Sequence, residues 1–497
     1  MKFIKSKLVL ALGMVTMLSC EQYFEPTTNI DETTALTNES DVQTVTIGTY
    51  AFLNKSNYVY SGHIMMEYPS DEIAQGQISG NDFTRIYRYT HINTSSHATN
   101  YWSQCYKIIA ATNKVIGFVS NDASTELKQL KGENLYLRAM AHFNMVRMFG
   151  RPYPQGNGNN PGIPILRDGL SDEEATKLPR SSVKEVYDFV IADLLAAADL
   201  MTVKKANIYA SKEVAYALLS KVYLFKGDNA NALKYANLVI DSGRYTLLSS
   251  SNYPSYFKVV PENNTETIFA VRHTSVQIAE ISSMYISSDR SGTPLAQGVS
   301  GWAELYASQK YVDFLGKHPE DLRKSFITPY VLNGVLQTNK KLTPATPMYY
   351  INKYTLQDNV INASSPVYLR LADIYLIRAE ANAKMGKTAD ALADVNLIRT
   401  RAGLTGAALY TAGNLAGKTV LDVVLEERFL ELAFEGHRIY DLFRNDRPMV
   451  RNYPGTHSQN NTPTTNVNQT VLPTDPRVVF FIPQNEVDQN KNLTQNP

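Results

Sequence analysis

Cysteine is nearly missing from this chain: 497 residues carry two, Cys20 and Cys105. Two thiols do not make a disulfide framework, so a chain of this size must hold itself together through its core. Charge of one sign is missing as well. Lysine and arginine total 48 against 47 acids, a formal net charge of +1, which leaves no electrostatic footprint for nucleic acid. Long hydrophobic runs are limited to Leu8–Leu18, too short for the roughly 20 residues that span a bilayer. The eight histidines are scattered. His91 and His97 lack a usual ligand spacing, and no H-E-x-x-H, G-x-S-x-G or Walker loop occurs. No cofactor and no histidine-based metal site are therefore expected, and the sequence does not identify whether loop carbonyls and carboxylates hold a calcium ion.

What is present begins at the N-terminus. Lys2, Lys5 and Lys7 precede the Leu8–Leu18 run, which ends at Ser19-Cys20. This is the pattern of a cleavable signal, residues 1–19. The small Ser19 before Cys20 suggests a bacterial lipobox, with Met17 where leucine is usual. The thiol of Cys20 would be acylated, and two or more chains anchor stably at roughly 0.8 kcal/mol per buried methylene. Loss of residues 1–19 removes three lysines and no acids, turning +1 into −2.

Residues 20–40 read as a polar tether. Helical periodicity dominates residues 41–242 and returns over 366–446. Residues 243–365 lose it apart from a strand-like TIFAVRH, and 447–497 are irregular around a strand-like VVFFIP. In WSQCYKIIAATNKVI, Trp102, Cys105, Tyr106, Ile109 and Ile116 share a helix face, so Cys105 is expected to be buried and inert. Two apolar stripes in the next helix, one including His142, imply packing on two sides, with His142 as a core residue. A weak repeat places Ser220, Gly227 and Ala232 at the same spacing as Ala379, Gly386 and Ala391. Small residues let paired helices approach and glycine serves the turn between them, a tetratricopeptide-like device. The fold class expected is mainly α: helical hairpins carrying long irregular segments and a few short strands.

The ordered blocks CEQYFEP, YWSQCYKIIAATNKVI, GENLYLRAMAHFNMVRMFG, YLRLADIYLIRAEANAKMG, ERFLELAFEGHRIYDLFR and FFIPQNEVDQNKNLTQNP resemble the SusD/RagB-like outer-membrane lipoproteins. The resemblance implies four tetratricopeptide-type hairpins and an irregular ligand-facing side. It also implies a position over a TonB-dependent, SusC-like barrel, capture of oligosaccharides or, in some members, peptides, and no catalysis. These blocks are scaffold, so the ligand does not carry over.

Two readings of chemistry follow. In LEERFLELAFEGHRIYDLFR, Glu427, Glu431 and Glu435 stand at i, i+4 spacing beside Arg428, His437 and Arg438. A surface glycoside hydrolase would use two of these carboxylates as acid and base; the simpler reading is an ion-pair network within the scaffold. A sugar binder instead needs flat rings and planar hydrogen-bonding groups on loops. SGNDFTRIYRY offers Asn81, Asp82, Arg85 and Tyr87. YISSDRSGTPLAQGVSGWAELYASQKY offers Tyr285, Asp289, Arg290, Trp302 and Tyr306. Trp302 follows a glycine-rich turn, and Tyr306 would project beside it if WAELYASQKY starts a helix.

Overall fold

The computed structural model describes residues 36–75, 81–285, 305–332, 334–339, 345–457 and 468–497. The signal, Cys20, Asp289, Arg290 and Trp302 lie outside these residues.

Helix α1 (Glu39–Leu53) starts inside the segment read as tether, because Asn38 and Asp41 form a reciprocal capping box. It is followed by α2 (Ser56–Glu67), α3 (Asp82–Tyr87), α4 (Ser96–Phe118), α5 (Thr125–Phe149), a single turn α6 (Asp172–Ala175), α7 (Val183–Leu200), α8 (Lys212–Lys226) and α9 (Asn229–Asp241). Two short helices, α10 (Ser282–Tyr285) and α11 (Gln309–Gly316), interrupt the loop-rich middle. The second helical part contains α12 (Leu371–Lys384), α13 (Thr388–Arg401), α14 (Val420–Glu431) and α15 (Arg438–Phe443), and α16 (Gln484–Gln489) lies near the end.

The helices pack in series, α4 on α5, α5 on α7, α7 on α8 and α8 on α9. The series then crosses the long middle segment: α9 packs on α12, and α12 on α13 and α14. The two repeat units are thus neighbours in space although distant in sequence. Ser220, Ala232, Ala379 and Ala391 are all fully buried at these contacts. Gly227 and Gly386 close the two hairpins at φ of +83° and +75°, a conformation costly for any residue with a Cβ. No atom crowds either position, so backbone conformation and not space requires glycine. Among the described residues no helix is long and apolar enough to cross a membrane.

The stripes behave as read. Trp102 and Cys105 are buried, Phe149 meets the indole edge-on, and burial pushes the thiol of Cys105 up. His142 is fully buried, with Nδ1 on the carbonyl of Arg138, and burial lowers it to about 3. Each fully buried Leu, Ile or Phe contributes about 1.5–3 kcal/mol, more than a helix cap at about 1 kcal/mol, so packing of the stripes decides the helical layer.

The strands pair two at a time and antiparallel: β1 (Ile73–Gln75) with β3 (Leu305–Ala307), β2 (Thr267–Ala270) with β10 (Val367–Arg370), β4 (Ile327–Pro329) with β9 (Tyr349–Ile351), β5 (Val331–Leu332) with β6 (Val335–Leu336), β7 (Thr338–Asn339) with β8 (Thr346–Pro347), and β11 (Met449–Arg451) with β12 (Gln469–Val471). TIFAVRH contributes β2 as expected. VVFFIP forms no ladder: Phe480 and Ile482 are buried instead, and the amide of Phe480 donates to the carbonyl of Met148. The described part of WAELYASQKY, from Leu305 on, opens as a strand and not as a helix. Residues 305–307 are recruited as a strand by β1, and α11 starts only after Ser308, whose hydroxyl caps Tyr311.

Candidate ligand-binding face

The charged cluster that raised the hydrolase reading is the fold's buried hub. Glu427 meets Arg323 at 2.6 Å and Arg399 at 2.8 Å; Glu435 meets Lys353 at 2.7 Å and Arg370 at 2.8 Å. Glu431 sits against Arg370 at 2.5 Å and also against Arg401, and it accepts from the hydroxyl of Tyr253. Burial alone would raise Glu431, but Arg401, Arg370 and Arg323 outweigh it and hold the carboxyl well below its ordinary value. Glu427 and Glu431 are fully buried. Carboxylates locked between guanidinium groups and out of reach of a glycosidic bond do not serve as an acid–base pair.

A different region collects the residues suited to a ligand. It is built on the β1–β3 pair, in which Ala74 lies opposite Tyr306 and Gln75 opposite Leu305. The chain therefore leaves β1 at Gln75 and enters β3 at Leu305 at the same end of one small sheet. On this sheet Ala74, Tyr306, Tyr350 and Tyr453 form a cluster of their own, and the partly exposed Tyr330 and Met348 pack on it. The rings of Tyr330 and Tyr350 are 5.3 Å apart, tilted by 58°. Asn339 donates to the hydroxyl of Tyr306 at 3.1 Å, and the hydroxyl of Tyr453 donates to the carbonyl of Ile73 at 2.9 Å.

His457 completes the frame. Its Nε2 faces the carbonyl of Tyr453 at 2.8 Å and must carry the proton. Its Nδ1 is then free to accept from the hydroxyl of Tyr87 at 2.9 Å. Burial and Arg451 lower the ring to about 3, so it stays neutral. Arg451 lies over the face of Tyr87 at 3.8 Å and donates to the carbonyls of Tyr68, Ser70 and Tyr87 and to Gln469.

The sequence candidates divide accordingly. Asn81 caps α3 by accepting from the amide of Thr84 at 3.2 Å and is exposed, as is Arg85. Asp82 is half-buried and turned to the start of α4, taking the hydroxyls of Ser95 and Ser96 and the amide of His97. Tyr87, Tyr285 and Tyr306 are at most 1% exposed. Tyr285 stacks on Tyr354 at 5.4 Å and bonds His63 at 2.6 Å. All three rings are enclosed and offer no open surface for a sugar: Tyr306 belongs to the face's own cluster, Tyr87 braces it through His457, and Tyr285 packs with His63 and Tyr354 in the main core. The sequence reading missed Tyr330, Asn339, Tyr350, Tyr453 and His457. The only sequence signal for the three tyrosines was the abundance of that residue, 31 in all, and Asn339 and His457 had none.

Comparison with known proteins brackets this face. The family model described as the SusD family matches residues 328–497, and one described as starch-binding associating with outer membrane matches residues 22–224. SusD-like protein P2 of Formosa agariphila is 25% identical, over 88% of this chain and 90% of that protein. A SusD-like protein of Bacteroides ovatus is 24% identical over 88% and 82%. Among solved structures, a SusD superfamily protein of Bacteroides thetaiotaomicron superposes with a TM-score of 0.78 at 25% identity, covering 93% of this chain and 100% of the other. A candidate sugar-binding protein of Bacteroides vulgatus gives 0.76 at 26% identity, covering 93% and 99%.

Proposed function

The chain belongs to the SusD family, and from that premise we propose that it captures oligosaccharides or polysaccharides at the cell surface. It is held at the outer membrane by a lipid on Cys20 and passes its cargo to a TonB-dependent, SusC-like transporter. The observation that carries this reading is the order of the matches: a family model at each end of the chain and one superfamily fold across 93% of it. The tyrosine-supported face on β1–β3 is the place for the ligand, with Asn81 and Arg85 at its rim, Tyr330 as a half-open ring, and Trp302 as the stacking ring proposed from sequence. The reading makes the protein a binder and not a hydrolase, consistent with the pairing of Glu427, Glu431 and Glu435 inside the hub.

A receptor that must release its cargo needs only modest affinity, roughly −8 to −4 kcal/mol or micromolar to millimolar. The test is a glycan array on the purified full-length chain, with chromatography of each glycan after incubation. Saturable binding with every glycan recovered intact is the expected result. Shortened products would make it a hydrolase, and binding of peptides with no glycan would move it to the peptide-capturing branch.

A further inference from the structure

Resting on glycan capture at this face, we propose that the glycan is anionic, its carboxylate or sulfate ester seated against Arg88 with Arg85 beside it. The side chain of Arg88 keeps only 9% of its surface open. Its Nε donates to the carbonyl of Thr456 at 2.9 Å, and its buried Nη2 has no hydrogen-bond partner. No carboxylate approaches it among the described residues. An enclosed guanidinium without a counter-charge is costly, and burial lowers its affinity for its proton accordingly.

Arg88 is unlike the other enclosed arginines. Arg323, Arg370, Arg401, Arg428 and Arg444 each contact carboxylates. Arg451 lacks one but spends its donors on backbone carbonyls and Gln469 while stacked on Tyr87.

The surroundings of Arg88 fit an incoming anion. Thr456, 3% exposed, holds Arg88 through its carbonyl and keeps its own hydroxyl unpartnered. Arg85 lies three residues earlier, the spacing of neighbours on one helix face, is exposed, and has no ion pair among the described residues. The one acid on α3, Asp82, turns its Oδ2 to Ser95, Ser96 and His97 and makes no ion pair with either arginine among the described residues. Of the two acids just before β1, Asp71 is committed to Arg438 and Lys310, and Glu72 accepts from the amide of Phe434. A planar guanidinium pairs with carboxylate or sulfate oxygens in a way that an ammonium does not.

The test titrates the full-length chain in detergent with three probes: oligogalacturonates, dextran sulfate and uncharged dextran. Saturable binding of a charged probe is expected, weakened about tenfold or more by Arg88→Gln and by a smaller factor by Arg85→Gln, and falling as salt is raised. Preference for oligogalacturonate assigns a carboxylate, and preference for dextran sulfate a sulfate ester. Arg85→Gln keeps the test decisive if Arg88→Gln disturbs the fold, because the Arg85 side chain supports nothing. Equal affinity for uncharged dextran, or charged-probe binding unchanged in Arg85→Gln and in a folded Arg88→Gln, overturns the anionic assignment and leaves glycan capture standing. Binding to none of the three also overturns it, and the glycan array then tells whether glycan capture falls with it.

Discussion

The hub beneath α12–α14 and the face on β1–β3 are both rich in arginine, and they use it in opposite ways. In the hub every guanidinium is matched: Arg323, Arg370, Arg399 and Arg401 share Asp321, Glu266, Glu427, Glu431 and Glu435. On the face the rings and carbonyls are matched, but neither Arg85 nor Arg88 meets a carboxylate among the described residues. Matched charge in the interior holds a geometry; unmatched charge at a rim is open to a partner from outside.

The largest expected effect falls in the hub. Glu431→Gln leaves Arg323, Arg370 and Arg401 facing one another without their shared carboxylate. Loss of one partner from a buried ion network costs about 3–5 kcal/mol, to be read from the denaturant midpoint. If the midpoint is unchanged, the hub is not what holds the two helical parts together.

Next in size is a pH effect at the seam between the two regions. Glu67 and Glu72 accept from the amides of Gly436 and Phe434 at 2.9 and 3.0 Å. Burial pushes Glu67 up to about 8, and burial together with Glu67 pushes Glu72 well above its ordinary range. A carboxyl raised by folding contributes stability that is complete below its unfolded value, 4.5 for Glu67, and lost as pH rises through about 8. Melting curves should therefore show stability falling from about pH 4.5 to about 8, by on the order of 1 kcal/mol per pH unit, and levelling off above. Glu67→Gln should flatten that fall. Glu431, held low, should show the reverse: its contribution persists at neutral pH and disappears only in strong acid.

A smaller effect is expected at the hairpin turns. Gly386→Ala and Gly227→Ala place a Cβ on a left-handed backbone with no clash, which costs about 1 kcal/mol each. A neutral result would mean the turns relax out of that conformation.

How far each region was legible follows from the reach of its contacts. The hairpins were readable because Ser220, Gly227 and Ala232, and again Ala379, Gly386 and Ala391, act within one helix pair. The hub was readable as ion pairs because Glu427, Glu431 and Glu435 repeat with the helical period. The face was not. Whether Tyr306 lies on a helix or a strand depends on pairing with Ala74, far away in sequence, and nothing in WAELYASQKY announces it. Tyr87 and Tyr285 looked like open rings because composition does not distinguish a supporting tyrosine from a stacking one. Arg88 was passed over because its interest lies in the partners it lacks.

The account claims that the face, and not the hub, meets the ligand. Its most direct test is the dissociation constant of Tyr330→Ala for the glycan that the wild-type chain binds best on the array. Stacking rings contribute about 0.5–1.5 kcal/mol beyond buried area, so affinity should fall severalfold while the melting temperature stays put, since Tyr330 is only half-buried. An unchanged dissociation constant in a protein of unchanged stability would place the ligand elsewhere and contradict the account.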